Sequence, residues 1–188
     1  HWMFIVSNGG VTAGRKNPQY ALFPYYTDDK LAELAHTTGS KTIFQVSFEG
    51  NVHIWEPFSD RCTDKYEISR NLYKNLCGNK ILFEEINHHF GLIYRYQWNT
   101  GTEFGFIKKA ELVNTSGNRY HITLLDGIQN IMPYGIDSSL QMTASNLADA
   151  YKRSELVKET GLGIFALSAV IVDKAEPSEA LKANIAWS

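Results

Sequence analysis

Short runs of β-branched and aromatic residues, each closed by a cluster of turn formers, constrain this chain more than any other feature of its sequence. In residues 92–98 the rings Tyr94, Tyr96 and Trp98 recur at every second position, and Arg95, Gln97 and Asn99 occupy the alternate ones. That period puts rings on one face of a strand and polar groups on the other. Residues 80–86 precede this run across Asn87-His88-His89-Phe90-Gly91, so the two segments predict a hairpin. Residues 43–46 and 52–55 predict another around the turn formers of 47–51. Residues 104–112 and 120–125 flank Asn114-Thr115-Ser116-Gly117-Asn118, which favours left-handed backbone and local side-chain hydrogen bonds, and predict a third. Further strand-like runs lie at 2–6, 128–132, 164–172 and 183–187. Asp126-Gly127 reads as a turn or bulge ahead of Ile128.

Only residues 139–155 read as a long helix, with Leu140, Ala144, Leu147, Ala148 and Tyr151 near a 3.6 spacing and Leu156 just beyond. Residues 28–36 predict a shorter one, capped by Thr27, with Asp28 and Asp29 suited to the positive end of the helix. About eight or nine short strands against one or two helices indicate an all-β, antiparallel sandwich. At 188 residues, with no repeat or linker, a single domain spanning 1–188 is expected.

Charge excludes one class of partner. Eighteen Lys plus Arg against twenty Asp plus Glu leave a formal charge of -2 without any basic stripe, so nucleic acid is not an expected ligand. The longest uncharged apolar stretch, 161–172, holds about a dozen residues where about 20 are needed to span a bilayer, so no membrane partner is expected either. Cys62 and Cys77 read as free thiols, because a chain of this length builds a core without staples. Both ends fall inside apolar runs, which leads us to expect a piece of a longer protein, with a cytoplasmic location.

Few residues carry recognisable chemistry. The glycine-rich segment 7–15 lacks both the Lys-Ser/Thr ending of a phosphate loop and the spacing of a dinucleotide turn, so it reads as a plain loop, with Arg15 the residue to watch. His88 and His89 beside Glu84 and Glu85 suggest a metal site or an acid–base pair, but neighbours in a strand point to opposite faces, and solvated turn residues are the simpler reading. Cys62 with His53 as nucleophile and base rests on composition alone. No catalytic residue, metal site or cofactor is therefore assigned. Sugar surfaces need flat rings against pyranose faces and acceptors for hydroxyls, a mix offered by Asp28 and Asp29, by Tyr25 and Tyr26 ahead of them, and by Trp55 and Glu56. Lys152 and Arg153, on the expected helix, are candidates for pairing across a domain boundary.

The segments Ser-Asn-Gly-Gly-Val-Thr-Ala-Gly-Arg (7–15), Ala-Leu-Phe-Pro-Tyr-Tyr-Thr-Asp-Asp-Lys (21–30), Leu-Leu-Asp-Gly-Ile-Gln-Asn (124–130), Ser-Asn-Leu-Ala-Asp-Ala-Tyr-Lys-Arg (145–153) and Thr-Gly-Leu-Gly-Ile-Phe-Ala-Leu (160–167) cover much of the chain. In that order they resemble the N-terminal part of large bacterial proteins described as cellobiose-phosphorylase-like. The run 112–115 followed by 122–126 also resembles the strand, turn, strand pattern of their sandwiches. The resemblance implies a galactose-mutarotase-like β-supersandwich packed against a helical barrel that carries the catalytic acid. No barrel sequence is present, so no catalytic residue transfers to this chain. What it implies is a noncatalytic domain of a carbohydrate-active protein, partnered by a neighbouring catalytic domain of the same chain and lining the rim of a glycan site.

Two other functions compete with that one. An independent carbohydrate-binding module would use exposed Trp55 or Trp98 as stacking platforms, and a sugar mutarotase would use His53 or His88 with Glu84. The aromatic cluster 23–26 and the apolar ends are expected to leave a sticky surface and to promote homodimerisation.

Overall fold

The computed structural model describes residues 1–24, 28–171 and 182–188, and of Asp28 and Asp29 the backbone alone. The chain is mainly β, with 48% strand and 14% helix, and its sheets are antiparallel, as the turn-punctuated runs require. Twelve strands are described: β1 Trp2–Ile5, β2 Val11–Gly14, β3 Gly39–Phe48, β4 Asn51–Trp55, β5 Ile68–Lys74, β6 Ile81–Asn87, β7 Leu92–Gly101, β8 Gly105–Asn114, β9 His121–Gln129, β10 Lys152–Val157, β11 Leu162–Leu167 and β12 Ala183–Ala186. Three short helices, α1 Asp28–Leu31, α2 Ser138–Thr143 and α3 Ser145–Tyr151, complete the regular structure with a few 3-10 turns. The chain packs as two compact units, one made of His1–Val6, Gly10–Gly39 and Gln129–Ser188, the other of Ser7–Gly9 and Ser40–Ile128.

The second unit is a sandwich. A sheet in the order β4-β3-β9 faces a sheet in the order β5-β6-β7-β8. Tyr94, Tyr96 and Trp98 turn inward as their period demands, and Phe44, Val46 and Trp55 meet them from the opposite sheet. Phe83 stacks on Tyr96 at 4.7 Å, Phe44 on Trp55 at 5.1 Å, and Tyr94 meets Phe44 edge-on at 5.3 Å. The outer face of the larger sheet carries one continuous polar row, Asn71, Glu84, Arg95 and Glu111, set opposite one another by strand register. Asn71 Nδ2 and Arg95 Nε donate to the Glu84 carboxylate at 2.9 and 2.6 Å.

Two of the three expected hairpins form. β3 and β4 join through Glu49 and Gly50, both at positive φ (49° and 81°), the geometry of a two-residue turn that matches strand twist. β6 and β7 join across 88–91. The third does not form. The run 114–118 does reverse the chain, with Ser116 N donating to Asn114 Oδ1 (3.0 Å), yet β8 pairs with β7 while β9 lies beside β3 in the other sheet. Thr115 N and Oγ1 both donate to Gly91 O, and Tyr120 Oη donates to Phe90 O at 2.7 Å. The reversal is thus tied to the β6–β7 turn and arches between sheets. Turn chemistry specifies that the chain turns back, and long-range contacts choose the partner strand.

Two further expectations are corrected, and one strand was missed. The helix expected over 139–155 breaks at Ala144 and stops at Tyr151, after which Lys152–Val157 is strand β10, paired with β11. The pairing partner across the chain outweighs a helical period over the last four residues. β5, whose Ile-Ser-Arg-Asn-Leu-Tyr-Lys shows weak alternation, was not expected as a strand. Asp126-Gly127 is no turn: both lie within β9, and Gly127 is absent from the residues with positive φ. Cys62 and Cys77 are free.

The other unit pairs β1 with β2 and orders its second sheet β10-β11-β12. Met132, Ile136, Ala148 and Leu167 form its buried cluster, with Leu140 and Ile171 packed against them. No helix among the described residues is long and apolar enough to cross a membrane.

A Cβ on Gly127 would meet nothing within 4 Å. Gly127→Val is therefore expected to leave the melting temperature unchanged or raise it, by up to about 1 kcal/mol of strand propensity. Glu85, fully buried, takes hydrogen bonds from Trp55, Phe58 and Arg70. Glu85→Ala should cost about 3 kcal/mol in urea unfolding, the low end for a broken buried pair because the Arg70 side chain keeps 35% exposure.

Candidate functional site

A cleft of about 650 Å³ opens within the first unit, a size typical of small-ligand sites. Three stretches distant in sequence build it: the loop after β2, the segment before α2, and the start of β12. β2 ends at Gly14, where a Cβ would sit 2.5 Å from the Trp2 ring and 2.6 Å from Tyr20 O, so only glycine lets the next residues fold back this closely. Arg15 N then donates to Tyr20 O (2.9 Å), and Asn17 caps a 3-10 turn over Pro18–Tyr20 by accepting from Gln19 N. Proline at the first position of that turn has no amide hydrogen to lose and a φ already suited to it. Lys16 adopts φ +64°, left-handed backbone that is uncommon for a residue with a side chain.

Polar bonds brace the other two walls. Gln19 Oε1 accepts from Ser138 N at 3.1 Å, which links the loop to α2. Asp137 caps α2 through Leu140 N (2.7 Å), so its carboxylate is already engaged. Asn184 Nδ2 donates to Met132 O at 2.7 Å, and Met132 N donates to Leu22 O at 2.8 Å. Tyr20 and Tyr134 supply the aromatic walls, their ring centroids 6.3 Å apart and tilted. Lys16 Nζ lies 5.5 Å from the Tyr20 centroid and Lys182 Nζ 5.5 Å from that of Tyr134. A cleft with two rings, amide side chains and cations can stack a flat apolar face and bond its polar edge.

Among the described residues expected from sequence to touch sugar or a neighbour, Arg15 alone lines this cleft. Trp55 and Glu56 are buried in the sandwich: the Trp55 ring is fully covered, and Glu56 pairs with Lys41. Trp98 is buried as well, so neither tryptophan offers a stacking platform. The reason is register, since β4 turns Trp55 inward and leaves Val52 and Ile54 outside. Lys152 and Arg153 pair locally, with Asp149 at 2.6 Å and Glu155 at 2.5 Å, on exposed surface. Tyr25, Tyr26 and Thr27 lie outside the described residues, as do the side chains of Asp28 and Asp29, which open α1. Phe23, from the same aromatic cluster, is fully buried.

The acid–base pairs considered from sequence are not assembled. Glu84 is engaged by Asn71, Tyr73 and Arg95, while His88 Nε2 meets Ser69 Oγ at 2.8 Å. His53 packs against the rings of His89 and Phe90, and Cys62 Sγ accepts from Glu56 N. The cleft residues that sequence reasoning missed include Lys16, Gln19, Tyr20, Tyr134 and Asn184. Asn17-Pro18 and Pro133-Tyr134-Gly135 were visible as turn signals, but nothing in either marks it as half of a site. Comparison of the chain with protein-family models and with curated protein sequences finds no match.

The strongest electrostatic perturbations lie in the sandwich. Lys108 Nζ, almost covered, donates to Asp126 Oδ1 (2.6 Å) and Gly127 O (3.0 Å), and Tyr94 Oη donates to the same Asp126 oxygen at 3.0 Å. Burial lowers the Lys108 pKa, against the opposing pull of Asp126. Burial raises the pKa of Tyr94, with the Asp126 charge adding to it, and burial likewise raises that of Tyr96. Above about pH 10 the unfolded tyrosines ionise while the folded ones hold their protons, so the unfolded state binds fewer protons and stability falls as pH rises. Lys108 acts in the opposite sense: between its lowered folded pKa and about 10.4 the unfolded state binds more protons, and stability rises with pH. Unfolding midpoints measured across this range should therefore drop above about pH 10, with the last tyrosinate absorbance appearing only as the chain unfolds. Tyr96→Phe should make that decline shallower, and an unchanged slope would show that its burial does not drive it.

Proposed function

We propose that this chain is a noncatalytic β-sandwich domain of a multidomain carbohydrate-active protein, and that the cleft lined by Tyr20 and Tyr134 binds a saccharide. The observation that carries the reading is the cleft itself: paired aromatic walls with Gln19, Asn184 and Arg15 at the edges, the combination a pyranose requires. The similarity of segments 7–15 and 21–30 to cellobiose-phosphorylase-like proteins supports it, because the first of these segments supplies Arg15 and leads into the cleft loop. The exposed apolar residues Phe4, Ile185 and Trp187 offer surface for the neighbouring catalytic domain.

A second reading, an independent carbohydrate-binding module, draws on one specific observation. Every residue lining the cleft belongs to a single compact unit, so no neighbour is needed to complete it. The two readings part on affinity, since a module binds at full strength alone whereas a rim gains it from the adjoining domain.

Calorimetric titration of the chain with gluco-, galacto- and manno-oligosaccharides should show binding that Tyr20→Ala and Tyr134→Ala each weaken about tenfold, the equivalent of about 1.4 kcal/mol. Phosphate-dependent release of glucose 1-phosphate from cellobiose should not occur. Turnover by this chain, or binding indifferent to both tyrosines, would refute the proposal.

A further inference from the structure

The cations of the cleft differ from seven others in the chain, which are held in ion pairs. Lys41, Arg61, Arg70, Arg95, Lys108, Lys152 and Arg153 each pair with a carboxylate. Arg15 and Lys16 line the cleft, Lys182 lies over its Tyr134 wall, and none of the three pairs with a carboxylate among the described residues. The acidic residue of the cleft, Asp137, turns its carboxylate to the amide of Leu140. Among the described residues, Arg15 and Lys16 on the cleft wall and Lys182 beside Tyr134 outnumber the Asp137 carboxylate and make the local potential positive. Lys16 and Lys182 each rest over one of the tyrosine rings of the cleft.

That placement discriminates between ligands. A neutral pyranose stacked on the covered face of Tyr20 or Tyr134 must displace the ammonium group from the ring and offers it only neutral hydroxyl acceptors. A sugar bearing an anionic group draws the same ammonium groups onto its charge, while the Arg15 guanidinium can meet a carboxylate or phosphate through two parallel hydrogen bonds. The left-handed backbone at Lys16 is consistent with a residue held for a purpose, since such strain collects at ligand clamps.

We propose that the cleft selects an anionic saccharide, one carrying a carboxylate or a phosphate, over its neutral counterpart. The inference rests on the carbohydrate reading of the same cleft. The test is calorimetric titration of the 188-residue chain at low ionic strength with trigalacturonate against galactotriose, glucose 6-phosphate against glucose, and inorganic phosphate alone. At least one charged sugar should bind about tenfold tighter than its neutral partner, and the advantage should shrink as salt is added. Which pair shows it identifies the anionic group.

Arg15→Gln and Lys16→Gln, both at exposed side chains, should narrow the gap between charged and neutral sugars, with unchanged melting temperatures as the control for folding. Equal affinity for charged and neutral sugars would overturn this inference and leave the carbohydrate reading standing, and so would a preference that survives both substitutions together. Binding of neither kind of sugar would overturn the carbohydrate reading and this inference with it. Inorganic phosphate bound as tightly as glucose 6-phosphate would make the cleft an anion site to which the sugar ring adds nothing, which also overturns both.

Discussion

A single carboxylate organises the sandwich. Glu85 on β6 has no solvent exposure, and such a charge is tolerated only where donors surround it. Trp55 Nε1 donates to one oxygen at 2.7 Å; Phe58 N and Arg70 Nε donate to the other at 2.6 and 2.8 Å. These donors come from the end of β4, from the turn beyond it, and from the edge strand β5, so one side chain joins parts of both sheets. Phe58 adopts φ +64°, left-handed backbone that a bulky residue rarely takes, and the bond from its amide to Glu85 helps to hold it there. Arg70 Nη2 also donates to Ser59 O, which closes the same turn against β5.

Around that hub, the pleat separates two kinds of polar row. Glu85 points inward with Phe83, while Glu84 points outward into the row shared with Asn71, Arg95 and Glu111. A slip of one residue in β6 would exchange them, leaving Glu85 without donors and exposing Phe83, so buried charge and aromatic stacking specify the same register. Asp126, Tyr94, Thr42 and Lys108 do the same between the sheets, where hydrogen bonds join β3, β7, β8 and β9. These polar groups are spent on structure.

The cleft in the other unit follows a different logic. Its backbone is braced by Gly14, by the Asn17 cap and by the Gln19 and Asn184 bonds, while Arg15, Lys16 and the two tyrosines remain turned to solvent or to one another. Fixed walls, with cations that no described carboxylate pairs, are what a recognition surface needs, since little ordering remains to be done when a ligand arrives.

The sequence by itself determined that the chain is a set of short antiparallel strands, because a side-chain period of two and turn-forming clusters are local properties. It placed Tyr94, Tyr96 and Trp98 on one face and located the β3–β4 and β6–β7 hairpins, while the packing of the two sheets decided that this face, Trp98 included, is the buried one. The local signals at 114–118 were equally strong and equally correct about a reversal, but which strand β9 joins depended on Thr115 and Tyr120 bonding to the turn at Phe90 and Gly91. The helical period past Tyr151 lost to pairing with β11, an interaction whose other half lies ten residues further on. Arg15 was legible as an unusual residue in a glycine-rich loop. Its company was not, because Tyr20, Tyr134 and Asn184 come from three segments that only tertiary packing brings together, and a binding surface is a property of that convergence rather than of any one segment.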